Sequence, residues 1–191
     1  MKWHNNYLII AAALLITLPC KGNSVRCNAD SWNHALKHHQ EIEQEYNFHA
    51  TRFNTLLQAH RIQPFLYQEF SREELQGLWL SPNSEFHKQM QTQIEASLTI
   101  IEQIQQEKQT IARLTTQAEA QSQLWRAISE HCRRIGEQSN VIISWNYAEL
   151  NQALTADIEE MIQKLIIIES RYTKEIEALE NAKPKPLQNQ E

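Results

Sequence analysis

The sequence predicts an all-α protein: an elongated antiparallel three-helix bundle, made of a long helical hairpin plus an N-terminal helix, with a small helical cap segment. Three observations predict it. Between Pro82 and Pro184 about a hundred residues contain no proline and a single glycine, Gly136. Apolar side chains return through that stretch every three or four positions, the period of a helix with one buried face. The whole chain holds only 3 glycines and 5 prolines in 191 residues, too few for a fold built from tight turns.

Residues 1–22 have the parts of an export signal: Lys2 near the start, an apolar run from Leu8 to Leu18, and small or polar residues after Pro19. The run is shorter than the roughly 20 apolar residues that span a bilayer, so a cleaved signal is expected rather than a membrane span. Gly22 and Ser24 offer the small side chains a signal peptidase needs. A lipoprotein would carry its lipid anchor on a cysteine directly after the apolar run, where Cys20 stands. Pro19 occupies the position where such signals want a small residue, which disfavours that second reading.

The bundle is expected over residues 23–181. Helix one is placed at 31–61, capped by Asp30 or Ser31, with the stripe Trp32, Leu36, His39, Ile42, Tyr46, Phe53, Leu56, Leu57 and His60. Pro64 ends it. Residues 62–81 are dense in aromatic and apolar side chains, and Ser71 with Glu74 forms a capping box, so a short helix ending near Gly77 is expected as a cap on the bundle. Ser81-Pro82 reads as the start of helix two, 82–135, which Gly136 closes with a left-handed residue. Helix three, 139–181, has the clearest heptads: Tyr147, Leu154, Met161, Ile168 in one row and Ile158, Leu165, Tyr172, Leu179 in the next, with Asn151 as a polar insert able to fix register. The tail 182–191 is polar, proline-bearing and expected to be disordered. Short connections make the helices antiparallel, which puts helix one beside the Gly136 end and leaves the first turns of helix two for the cap.

Net charge is −5, and loss of Lys2 and Lys21 with the signal lowers it by two. No basic surplus exists to neutralise a phosphate backbone, so nucleic acid is not expected as a partner. No Cys-x-x-Cys-His, phosphate-binding glycine loop, nucleophile elbow or His-Glu-x-x-His occurs. Ser129, Glu130 and His131 are adjacent, and a helix points such neighbours in different directions. No catalytic residue and no cofactor are therefore predicted.

Two constellations remain. His34, His38 and Glu41 share a helix face at i, i+4 and i+7, the minimum of a metal site; without a third histidine or a cysteine at ligand spacing, a solvated face is the simpler reading. Cys27 and Cys132 are the pair left when the signal is removed, and the predicted bundle places both at the Gly136 end. A disulfide between them is expected. The alternative is that Cys132 is a small buried hydrophobe and Cys27 bridges to a second molecule. Trp125 and Trp145 lie at similar heights on either side of Gly136, and with Trp32 are expected to lock that end. Of the 21 glutamines, Gln89, Gln91, Gln93, Gln103, Gln105, Gln106 and Gln109 coat one side of helix two. Amides shed water at less cost than charges, so that side suits a partner as well as it suits solvent.

These readings predict an exported, non-enzymatic protein of a bacterial envelope, periplasmic or secreted, working through its helical faces on protein partners or on itself as an assembly subunit, adaptor or chaperone-like binder. The competing prediction is an extracytoplasmic metal or small-ligand sensor built on a helical hairpin. In general plan the chain resembles minor pilus-tip components of type IV secretion systems, a likeness of arrangement with no residue motif behind it.

Overall fold

A computed structural model describes residues 25–184, so the export signal, Cys20 and most of the expected tail lie outside the described residues. Five helices and no strand are found among them: α1 (Ala29–Ile62), α2 (Leu66–Glu69), α3 (Arg72–Leu80), α4 (Ser84–Arg134) and α5 (Gln138–Ala182). The fold is all-α, a long α4–α5 hairpin with an N-terminal helix, as the sequence predicts. At 1.5 Å per residue α4 is on the order of 75 Å long.

The helix starts differ from expectation by a few residues, and each shift has a local cause. Asn28, not Asp30 or Ser31, caps α1: its Oδ1 accepts from the Ser31 amide at 3.0 Å. Gln63 then takes an extended conformation, as a residue before proline prefers, and α1 stops at Ile62. The capping box of Ser71 and Glu74 is present, yet α3 passes through Gly77 and ends at Leu80. Asn83 caps α4 through the Glu85 amide at 3.0 Å, while Ser81 closes α3. At the hairpin bend Gly136 has φ 83°, with Glu137 N–H donating to Cys132 O and Gly136 N–H to Arg133 O. Those two bonds make a Schellman turn. Ala182, expected at the start of the tail, is instead the last residue of α5 and is buried.

Alternating steps of four and three residues run through α1 and α5 without a break, and through α4 with one, at Ile104–Glu107. On α1 the series Ala35, His39, Ile42, Tyr46, His49, Phe53, Leu56, His60 faces the hairpin; on α5 it runs Asn151, Leu154, Ile158, Met161, Leu165, Ile168, Tyr172, Glu175, Leu179, Ala182. Such steps keep one seam facing its partner along the whole length. Across the seam, Ala35 meets Gln121 and His49 meets Glu107, while His39 meets Asn151 and His60 meets Arg171. Numbers on α1 rise as those on α4 fall and those on α5 rise. α1 therefore runs antiparallel to α4 and parallel to α5.

Three apolar clusters follow one another along the axis. Trp125, Ile128, Cys132, Ala148 and Ala35 fill the bend end, with Trp32 and Tyr147 packed on them. Ile104, Ile111, Leu114, Ile158, Leu165 and Phe53 belong to the middle, and Leu75, Met90, Ile94, Leu179 and Ala182 seat the cap. The first turns of α4 do receive the cap, but the end of α5 shares the contact.

Candidate interaction site at the hairpin bend

The bend is fixed by covalent and polar ties before any partner is considered. Cys27 and Cys132 are joined by a disulfide with Cα atoms 5.0 Å apart. The Cys27 amide donates to His131 Nδ1 at 3.1 Å, and Ser129 Oγ to Val141 O at 3.1 Å. Trp125, fully buried, packs edge-on against Trp32 at 5.1 Å and stacks on Tyr147 at 4.6 Å. The expectation that Trp145 completes this lock is corrected. Tyr147 holds the heptad position of α5 that faces Trp125, and Trp145, two residues earlier, points outward. Trp145 stands at the height of Trp125, because the guanidinium of the next residue, Arg126, lies 5.6 Å over its ring.

Large apolar side chains stand in solvent on more than one side of this rigid frame. Ile142 is 56% exposed, Trp145 47% and Leu150 55%, with Ile135 and Ile143 also in solvent. Between α4 and α5 a groove of about 240 Å³ is lined by Arg126, Ser129, Arg133, Ile142 and Trp145 among others. Arg126 also donates to Gln152 Oε1 at 2.7 Å, Arg133 pairs with Glu130, and Trp145 Nε1–H donates to Glu149 at 2.9 Å. The arrangement is an aromatic and aliphatic centre with arginines at its rim, the composition that anchors protein interfaces. Sequence reasoning missed it. The signal was present: Ile142, Ile143 and Leu150 lie off the heptad positions of helix three, where apolar residues serve no core.

The other sequence candidates are placed as follows. His34 and Glu41 are exposed, and His38 Nδ1 lies 3.4 Å from Glu41 Oε2. Among the described residues no group of three or more His, Cys, Asp or Glu is arranged to hold a metal. His131 accepts from Cys27, Glu130 pairs with Arg133 and Ser129 bonds Val141, so the adjacent trio points three ways. The glutamine face of α4 is partly spent within the chain. Gln91 donates to Glu95 and Gln105 to Glu169, both at 3.0 Å, and half-buried Gln93 donates to Glu175 at 3.0 Å.

Polar side chains are also sealed inside the bundle. Glu175 has no exposed surface and accepts from the Leu66 amide at 2.9 Å, the Tyr67 amide at 3.0 Å and Gln93, tying α2 to α5. Glu107 accepts from His49 at 2.6 Å and lies 3.3 Å from Arg52. Burial opposes the charge of Glu169, but hydrogen bonds from Lys108 and Gln105, with the Lys108 charge, hold its carboxyl below the usual range. Burial lowers the pKa of His60, and the neighbouring Arg171 lowers it further. No helix among the described residues is long and apolar enough to cross a membrane. No protein family, characterised protein or solved structure matches this chain.

Proposed function

We propose that this is an exported, non-enzymatic bacterial envelope protein that works by contact, as an assembly subunit, adaptor or chaperone-like binder, with the bend of the hairpin as its principal contact surface. The observation that carries the reading is the groove between α4 and α5 where Ile142 and Trp145, both half in solvent, lie beside Arg126 and Arg133 at the end of the molecule that a disulfide makes rigid. Exposed apolar residues gathered in one patch mark an interaction site more often than scattered ones do. A preorganised backbone lowers the ordering cost of binding. The disulfide supports export, because such bonds persist in oxidising compartments.

Photo-crosslinking side chains placed at 142 and 145, with 159 as a control position on the same helix, test the proposal in the native envelope. A discrete protein adduct is expected from 142 and 145 and not from 159. Ile142→Ser with Trp145→Ser should abolish partner retention while changing stability by less than about 1 kcal/mol, because both side chains are half in solvent. Absence of an adduct at both positions, or equal adducts at all three, would reject the bend as the contact surface.

A further inference from the structure

We infer that α1 is an acid-released strap: protonation of His60 frees its last turns and the connector through Phe65 from the hairpin, while the Cys27–Cys132 disulfide keeps its first turns in place. The inference starts from the face α1 presents to the hairpin. Of its six buried residues, Ala35, His39, Ile42, His49, Phe53 and His60, three are histidines. They are the side chains whose charge changes near neutral pH.

The three are not equivalent. His39 Nδ1 lies 3.1 Å from Asn151 Oδ1, and its Nε2 is 3.4 Å from the Glu43 carboxylate, so both ring nitrogens face an oxygen. His49 Nδ1 lies 2.6 Å from the Glu107 carboxylate. His60 faces Arg171 and Tyr172 from α5 and Phe65 from the connector, with ring centroids of the two aromatics at 5.7 and 5.5 Å. A guanidinium only donates, so at 3.2 Å Arg171 donates to Nε2 and the ring proton sits on Nδ1. That Nδ1 is buried without a hydrogen-bond partner. A second proton has only Nε2 to occupy. It would expel the Arg171 bond and set imidazolium against guanidinium between two aromatic rings. The acid one turn along α5, Glu175, is engaged by the Leu66 and Tyr67 amides and by Gln93.

The direction of the effect follows from linkage. The docked pKa of His60 lies below its ordinary 6.5, so the released state binds the proton more tightly. Docking is at full strength above 6.5 and weakens as pH falls from there toward the docked pKa. Loosening α1 would widen the apolar groove of about 390 Å³ that Phe53, Leu56, Ile100, Ile104 and Leu165 line between α1 and α4.

Hydrogen exchange on the full chain with its disulfide formed tests the strap. Between about pH 7.5 and about pH 5.5, protection of residues 53–62, corrected for the intrinsic rate, should fall by up to about tenfold per unit below 6.5, while residues 29–40 keep theirs. His60→Phe should remove the pH dependence. Arg171→Gln, whose amide can turn its oxygen toward a protonated ring, should flatten it without depending on the fit of a phenyl ring. Protection that does not change with pH, that falls equally over 29–40 and 53–62, or that keeps the wild-type slope in Arg171→Gln overturns the inference.

Discussion

A single carboxylate ties the start of the cap to the bundle. Glu175 sits at a heptad position on α5 where leucine would be the ordinary occupant, and its two oxygens take three donors from two other segments. Replacing it by glutamine removes an acceptor and turns an N–H₂ toward amides that also donate. Each buried group left unpaired costs about 1–3 kcal/mol, so Glu175→Gln should lower unfolding stability by that order, measured by urea titration. Exchange at Leu66 and Tyr67 should rise before that of the hairpin core. The residue scale is also where the sequence was hardest to read. His39 was legible as a packed residue, and Asn151 as a polar insert in the seam. His49 lies on the same four-three series as Ile42 and Phe53, but an apolar stripe read by hydrophobicity alone skips it. Its partner Glu107 is 58 residues away, and nothing local announces the pair.

Helices were legible where their causes are local. The heptads of α4 and α5, the left-handed Gly136 and the capping box of α3 each operate within a turn or two of sequence, and the structure shows them. The one-turn helix α2 was not legible, since its first amides are held by a carboxylate 109 residues later. Outward Trp145 was legible and was missed: Tyr147 stands in the core row of helix three, and at about 100° per residue Trp145, two positions earlier, cannot share its face. The disulfide acts at this scale too. It closes a loop with a sequence separation of 105, which the chain-entropy account values at about 4–5 kcal/mol. Cys27→Ser with Cys132→Ser should lower the urea midpoint accordingly. Exchange should rise most over the first turns of α1, which lie next to the bond, and least along the α4–α5 seam.

At the scale of the whole molecule, the described chain enters at one pole and leaves at the other: Val25 is at the bend and Pro184 at the cap. The disulfide then sets the path that tension would follow if the two ends were pulled apart. Force entering at Val25 crosses from Cys27 directly to Cys132, rounds Gly136 and travels up α5 alone. α1, the cap and nearly all of α4 hang outside that path as a closed ring. Single-molecule stretching of the oxidised protein should therefore release only about 50 residues, roughly 170 Å of extended chain, whereas the reduced protein should release about 160. A body tethered at both poles would bear its load on one helix, and the chain inside the ring could not be extended until a thiol opened it.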